Sequence, residues 1–69
     1  MNWEQIEGKW EQLSGKAKET WGKFTDNDLY EIKGKRDQLL GKIRERYGIT
    51  KEEADIQIQS FLEQFKLKN

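Results

Sequence analysis

The chain has 69 residues, in which 13 Lys and Arg balance 13 Asp and Glu, His and Cys are absent, and mean hydropathy is −1.12. A length of this order holds one small domain, and zero net charge argues against a polycationic tail, while the lack of Cys excludes a disulfide framework and thiolate chemistry. Leu, Ile and Phe, with no Val, supply 15 of the 69 residues, just above the roughly 20% floor below which highly charged chains stay disordered, so a marginally stable fold is expected.

Apolar residues recur at Trp3, Ile6, Trp10, Leu13, Ala17, Trp21 and Phe24 with spacings of three and four, and no Pro interrupts them. This spacing predicts one amphipathic first helix, capped by Asn2 with Gln5 three residues on. Trp3 is the member of the stripe expected to be exposed. Thr25 with Asp28 and Thr50 with Glu53 repeat the capping signature and mark two further helix starts. A short second helix over Asp26 to Ile32 is predicted, then a third near Lys35 to Tyr47 with Leu39, Ile43 and Tyr47 inward. The fourth runs from Lys51 to about Lys66, its stripe formed by Ala54, Ile58, Phe61, Leu62 and Phe65, with Ile56 off that face. Asn69 and its neighbours are expected to fray.

Gly8 to Lys23 aligns with Gly34 to Ile49 without a gap and with eight identities in sixteen positions, which predicts an internal repeat with units of about 8–32 and 34–60. Residues 1–69 then form a single all-α domain, a small bundle of about four helices arranged as two helical hairpins that bury their stripes against each other. The longest apolar runs are pairs such as Leu39-Leu40 and Phe61-Leu62, so no membrane span is expected and a soluble cytoplasmic protein is.

All six glycines fall in two ladders of period seven, Gly8, Gly15, Gly22 and Gly34, Gly41, Gly48. Helical periodicity places them on the backs of the helices, away from the core. Gly22 and Gly48 each follow the last aromatic of a stripe and read as left-handed helix C-terminal residues. The other four read as mid-helix glycines, each costing about 1 kcal/mol relative to Ala. Either something approaches closely there or helicity is kept weak.

Five of the glycines precede a lysine, and residues 33–46 hold six bases against two acids. A phosphate could approach the backbone at such pairs, which makes Lys9, Lys16, Lys35, Lys42 and Arg46 candidate phosphate or nucleic-acid contacts. A solvated charged face is the plainer reading, and zero net charge weakens long-range attraction to a polyanion. Trp3, Trp10 and Trp21 share one stripe and are read as core rather than as base-stacking platforms.

Without His or Cys the commonest neutral-pH base, the thiolate nucleophile and most transition-metal ligands are missing. Glu52-Glu53 suits the first turn of a helix better than paired acid–base work. A calcium loop begun at Asp26 would need Gly where Glu31 stands and Glu where Asp37 stands. No Gly-Lys pair is followed by Ser or Thr, so no Walker motif is present. No catalytic residue, cofactor, metal or small-molecule substrate is expected, and the chain is expected to be a monomer.

Trp10-Glu11-Gln12 with Gly15-Lys16, the run from Lys18 through Trp21-Gly22-Lys23-Phe24 to Asp28, and Gly34-Lys35-Arg36-Asp37-Gln38-Leu39-Leu40-Gly41-Lys42 through to Tyr47-Gly48 together resemble the CsbD-like family of small bacterial stress-response proteins. The resemblance spans most of the chain. It implies a cytoplasmic bacterial protein induced in the general stress response, with no catalytic activity and a helical fold similar to sterile-alpha-motif-like bundles of two orthogonal hairpins. After about Asp55 the chain departs from the family pattern, with Ser60-Phe61-Leu62 where some relatives carry a more polar, Trp-bearing end.

Three functional readings follow. The first is a non-enzymatic, hydrophilic protectant of other macromolecules. The second is a weak nucleic-acid-binding module acting through the phosphate backbone. The third is a protein-partner-binding domain, for which Ile56 and Trp3 are the candidate exposed apolar residues.

Overall fold

Asn2 opens the chain's first helix by a reciprocal cap: its Oδ1 accepts from the Gln5 N–H at 2.9 Å while the Asn2 N–H donates to Gln5 Oε1 at 3.1 Å. The computed structural model describes residues 2–66, and the side chains of residues 2–64, as five helices. These are α1 (Trp3–Gly8), α2 (Trp10–Thr20), α3 (Asp26–Ile32), α4 (Arg36–Tyr47) and α5 (Lys51–Lys66). Thr25 and Asp28 cap α3 in the same reciprocal way, and Thr50 Oγ1 accepts from the Glu53 N–H at 3.1 Å to start α5.

The single first helix expected from the stripe is two helices, which raises the total from about four to five. The break falls at Lys9, whose backbone sits at φ −110° and ψ 14° and whose N–H is shared between the carbonyls of Gln5 and Ile6. Such a tightened turn is favoured just after Gly8, the weakest helix former of the segment. The apolar stripe continues across the break, so Ile6, Trp10, Leu13 and Ala17 all reach the core.

Each helix packs on the next in sequence, α1 on α2, α2 on α3, α3 on α4 and α4 on α5. The α2–α3 connection is tied to α5 by Trp21, which follows α2. Its ring centroid lies 5.0 Å from Phe61 of α5 and 5.6 Å from Phe24, and its indole N–H donates to Gln57 Oε1 at 2.8 Å. Trp10 is tied in a similar way, its indole N–H donating to the Leu29 carbonyl at 2.7 Å. Leu39, Ile43, Ala54 and Ile58 fill the α4–α5 side of the core, with Tyr47 and Leu62 half-buried. Trp3 is half-buried against this core rather than exposed, and Ile56 is exposed as its position off the stripe requires. The Phe65 side chain and Asn69 lie outside the described residues.

The glycine ladders divide into unlike parts. Gly48 closes α4 in the left-handed conformation, φ 61°, but Gly22 does not take up a left-handed φ. The chain leaves α2 through Trp21 instead, at φ −117° and ψ 84°, so a turn of ordinary backbone geometry replaces the expected glycine cap. Gly34 is neither mid-helix nor turned away from the core. It is buried in the α3–α4 turn at φ 76°, and a Cβ there would stand 2.8 Å from the Glu7 Cα. The close approach foreseen for a ladder glycine therefore exists at Gly34. At Gly8, Gly15 and Gly41 a Cβ would meet nothing within 4 Å.

Candidate functional site

The five basic candidates, Lys9, Lys16, Lys35, Lys42 and Arg46, fall into separate settings. Lys42 and Arg46 lie one helical turn apart on α4, spacing that puts both on the face turned to α3. There they converge on Asp28. Arg46 donates from Nε and Nη2 to the two Asp28 oxygens at 2.8 and 2.9 Å, and Lys42 Nζ lies 3.6 Å from Asp28, 2.7 Å from Glu31 and 3.5 Å from Glu45. Lys35 pairs with Glu7 at 3.5 Å and Lys16 with Glu19 at 3.8 Å, neither sharing a partner with the α4 pair. No ion pair is formed by Lys9 among the described residues.

Asp28 is the centre of this cluster and the charged side chain that reading the sequence did not single out beyond its capping role. Its side chain is 2% exposed and does two jobs, capping α3 through the Thr25 N–H at 3.0 Å and receiving Arg46. The Arg46 hydrogen bonds, then that of Thr25, hold its carboxyl well below the usual carboxylate range, outweighing the upward push of burial; the charges of Arg46 and Lys42 add to the effect. Lys42 is pushed up, first by its hydrogen bond to Glu31. The signal for this cluster was faint: a capping acid and a base eighteen residues away carry no local mark of their pairing.

Other bases of the 33–46 segment are also engaged. Arg36 pairs with Asp55 across α4 and α5, Arg44 donates to the Ile49 carbonyl, and the Lys33 ammonium stands 5.3 Å over the Tyr30 ring. Asp26, which opens the candidate calcium loop, instead pairs with Lys18 at 2.7 Å.

Two open grooves mark the surface. One, of about 280 Å³, is lined by Trp10, Ser14, Leu29 and Tyr30 with Glu11 and Asp26. The other, of about 370 Å³, lies over Trp21 and Phe61 between Tyr47 and the exposed side of α5. Asp28, Lys42 and Arg46, the members of the charged cluster between α3 and α4, line neither groove. Among the described residues no group of three or more acidic side chains is placed to hold a metal, and no helix is long and apolar enough to cross a membrane.

Comparison with known proteins adds a family and two close relatives. The CsbD-like family model matches residues 4–55. A UPF0337 protein of Protochlamydia amoebophila (strain UWE25) is 48% identical over 66 residues, covering 96% of this chain and 100% of the relative. A UPF0337 protein of Rhodopirellula baltica (strain DSM 10527 / NCIMB 13988 / SH1) is 56% identical over 61 residues, covering 88% of this chain and 90% of the relative. The family match ends at Asp55, while the Protochlamydia relative aligns over nearly the whole chain.

Proposed function

The chain belongs to the CsbD-like family of small bacterial stress-response proteins, and on that premise we propose that it is a non-enzymatic cytoplasmic protectant, a weakly stable and heavily hydrated protein that shields other macromolecules when water is scarce. The observation that carries this reading is the placement of Gly15 and Gly41. Each lies inside a helix with open space where a Cβ would go, so no packing contact demands glycine, and its effect is to lower helix stability. A helix held near its melting point opens readily and offers its polar backbone and charged side chains to neighbouring surfaces. The balance of acids and bases suits such a role, since a neutral but highly charged surface keeps its water without attracting one class of partner over another.

Drying a labile enzyme with and without the protein tests this. Recovery of activity several-fold above that given by an equal mass of an unrelated folded protein supports the proposal, and recovery no better than that control contradicts it.

A second reading keeps the phosphate contact. Gly8 and Gly15 are exposed, nothing stands within 4 Å of a Cβ at either, and each precedes an exposed lysine, Lys9 and Lys16. Lys35, Lys42 and Arg46 complete this proposed ridge only by leaving their carboxylate partners. Weak duplex binding that falls steeply with salt would support it, and amide shifts absent at low salt would contradict it. The same proposal includes descent of units 8–32 and 34–60 from one duplicated hairpin and an orthogonal crossing of the two; an experimental structure with near-parallel hairpins would rule the crossing out.

A further inference from the structure

In a chain where 38% of residues are charged, the groove over Trp21 and Phe61 is lined by none of them. Its floor is the two aromatic rings, each nearly inaccessible, and its walls are Thr20, Tyr47, Gln57, Ser60 and Gln64. The polar atoms of that lining are partly used already: Gln57 Oε1 accepts from Trp21, and the Tyr47 hydroxyl accepts from the Lys23 N–H at 3.1 Å. Ile56 stands on the edge of the same groove and is 66% exposed. A large aliphatic side chain projecting beside this depression shares with the centre of a protein interface the lack of charged groups.

We propose that this face is a self-association surface, in which Ile56 of one copy enters the groove of a second copy of the chain and receives that copy's Ile56 in return. A two-fold contact requires one patch to carry both projection and depression, and this patch does. Charge favours a second copy over a strongly acidic or basic partner. The chain has zero net charge. The rim bears both signs, with the Lys23 ammonium 5.1 Å over the Tyr47 ring and, by helical periodicity, Glu53 and Glu63 on the α5 side beside Ile56.

Sedimentation equilibrium of the full chain tests this from about 10 μM to about 1 mM, a range that covers weak self-association. The expected result is an average mass rising from 8.3 kDa toward twice that value, with Ile56→Glu shifting the midpoint at least about tenfold to higher concentration. Ser60→Arg, which puts a charge into the groove from an exposed position, acts as an independent second variant and has the same effect. Both leave the helical circular dichroism unchanged. A mass that stays at 8.3 kDa to about 1 mM overturns the proposal, as does association of both variants with the wild-type midpoint.

Discussion

Arg46 closes a two-point hydrogen bond onto Asp28 across the α3–α4 contact, Nε and Nη2 donating to the two carboxylate oxygens at 2.8 and 2.9 Å. Because Asp28 also caps α3, one side chain fixes both where that helix begins and which face of α4 it meets. Asp28→Asn keeps the shape but puts an amide N–H against a guanidinium. The expected loss is about 2 kcal/mol, or a fall in melting temperature of about 10 °C for a domain of this size. With Arg46→Gln in a double-mutant cycle, the coupling energy accounts for at least half of that loss; additive effects would contradict the pairing.

The same carboxyl sets an acid limit. Asp28 is held well below its ordinary value in the fold, so the unfolded chain takes up its proton first as pH falls. Its contribution is fully present above about pH 4 and is lost as pH drops below that toward the folded value. The difference in melting temperature between the wild type and Asp28→Asn is therefore constant above about pH 4 and narrows as pH falls from about 4 to about 2. A constant difference across that range would contradict the assignment.

The ladder glycines answer differently to a methyl group. Gly15→Ala and Gly41→Ala each raise stability by about 0.5–1 kcal/mol, since both sites are helical and open. Gly34→Ala costs more than about 2 kcal/mol, because the left-handed backbone and the Glu7 main chain both oppose it. Thermal melts of the three single variants check the order.

Trp10 and Trp21 differ in what their indole N–H groups hold. Trp10→Phe leaves the buried Leu29 carbonyl without that donor and costs about 1–3 kcal/mol. Gln57→Leu removes the acceptor for Trp21, a hydrogen bond that is only partly buried, and costs less. Urea unfolding of the two variants separates them.

Local signals in the sequence were enough to place α3 and α5 at their starts, because Thr25 and Thr50 announce them through hydrogen bonds spanning three residues, while α4, which has no side-chain cap, was placed within one residue by its apolar spacing. Burial of Leu39, Ile43, Ala54 and Ile58 was equally plain from spacing. What periodicity could not separate were residues alike in sequence and unlike in contacts. Gly34 aligns with Gly8 in sequence, yet of the two only Gly34 meets another segment, the backbone of Glu7. Lys9 gives no sign that it ends a helix, since the apolar stripe runs straight through it. Asp28 and Glu53 occupy the same capping position, and only the fold brings Arg46 to Asp28.

The central claim, that protection depends on helices kept weak by Gly15 and Gly41, is tested most directly by comparing the wild type with the Gly15→Ala/Gly41→Ala double variant. The measurement is recovery of a dried enzyme at equal protector mass. The expected result is a melting temperature raised by about 5–10 °C together with recovery reduced at least about twofold, close to that given by an unrelated folded protein. A stabilised variant that protects as well as the wild type would contradict it.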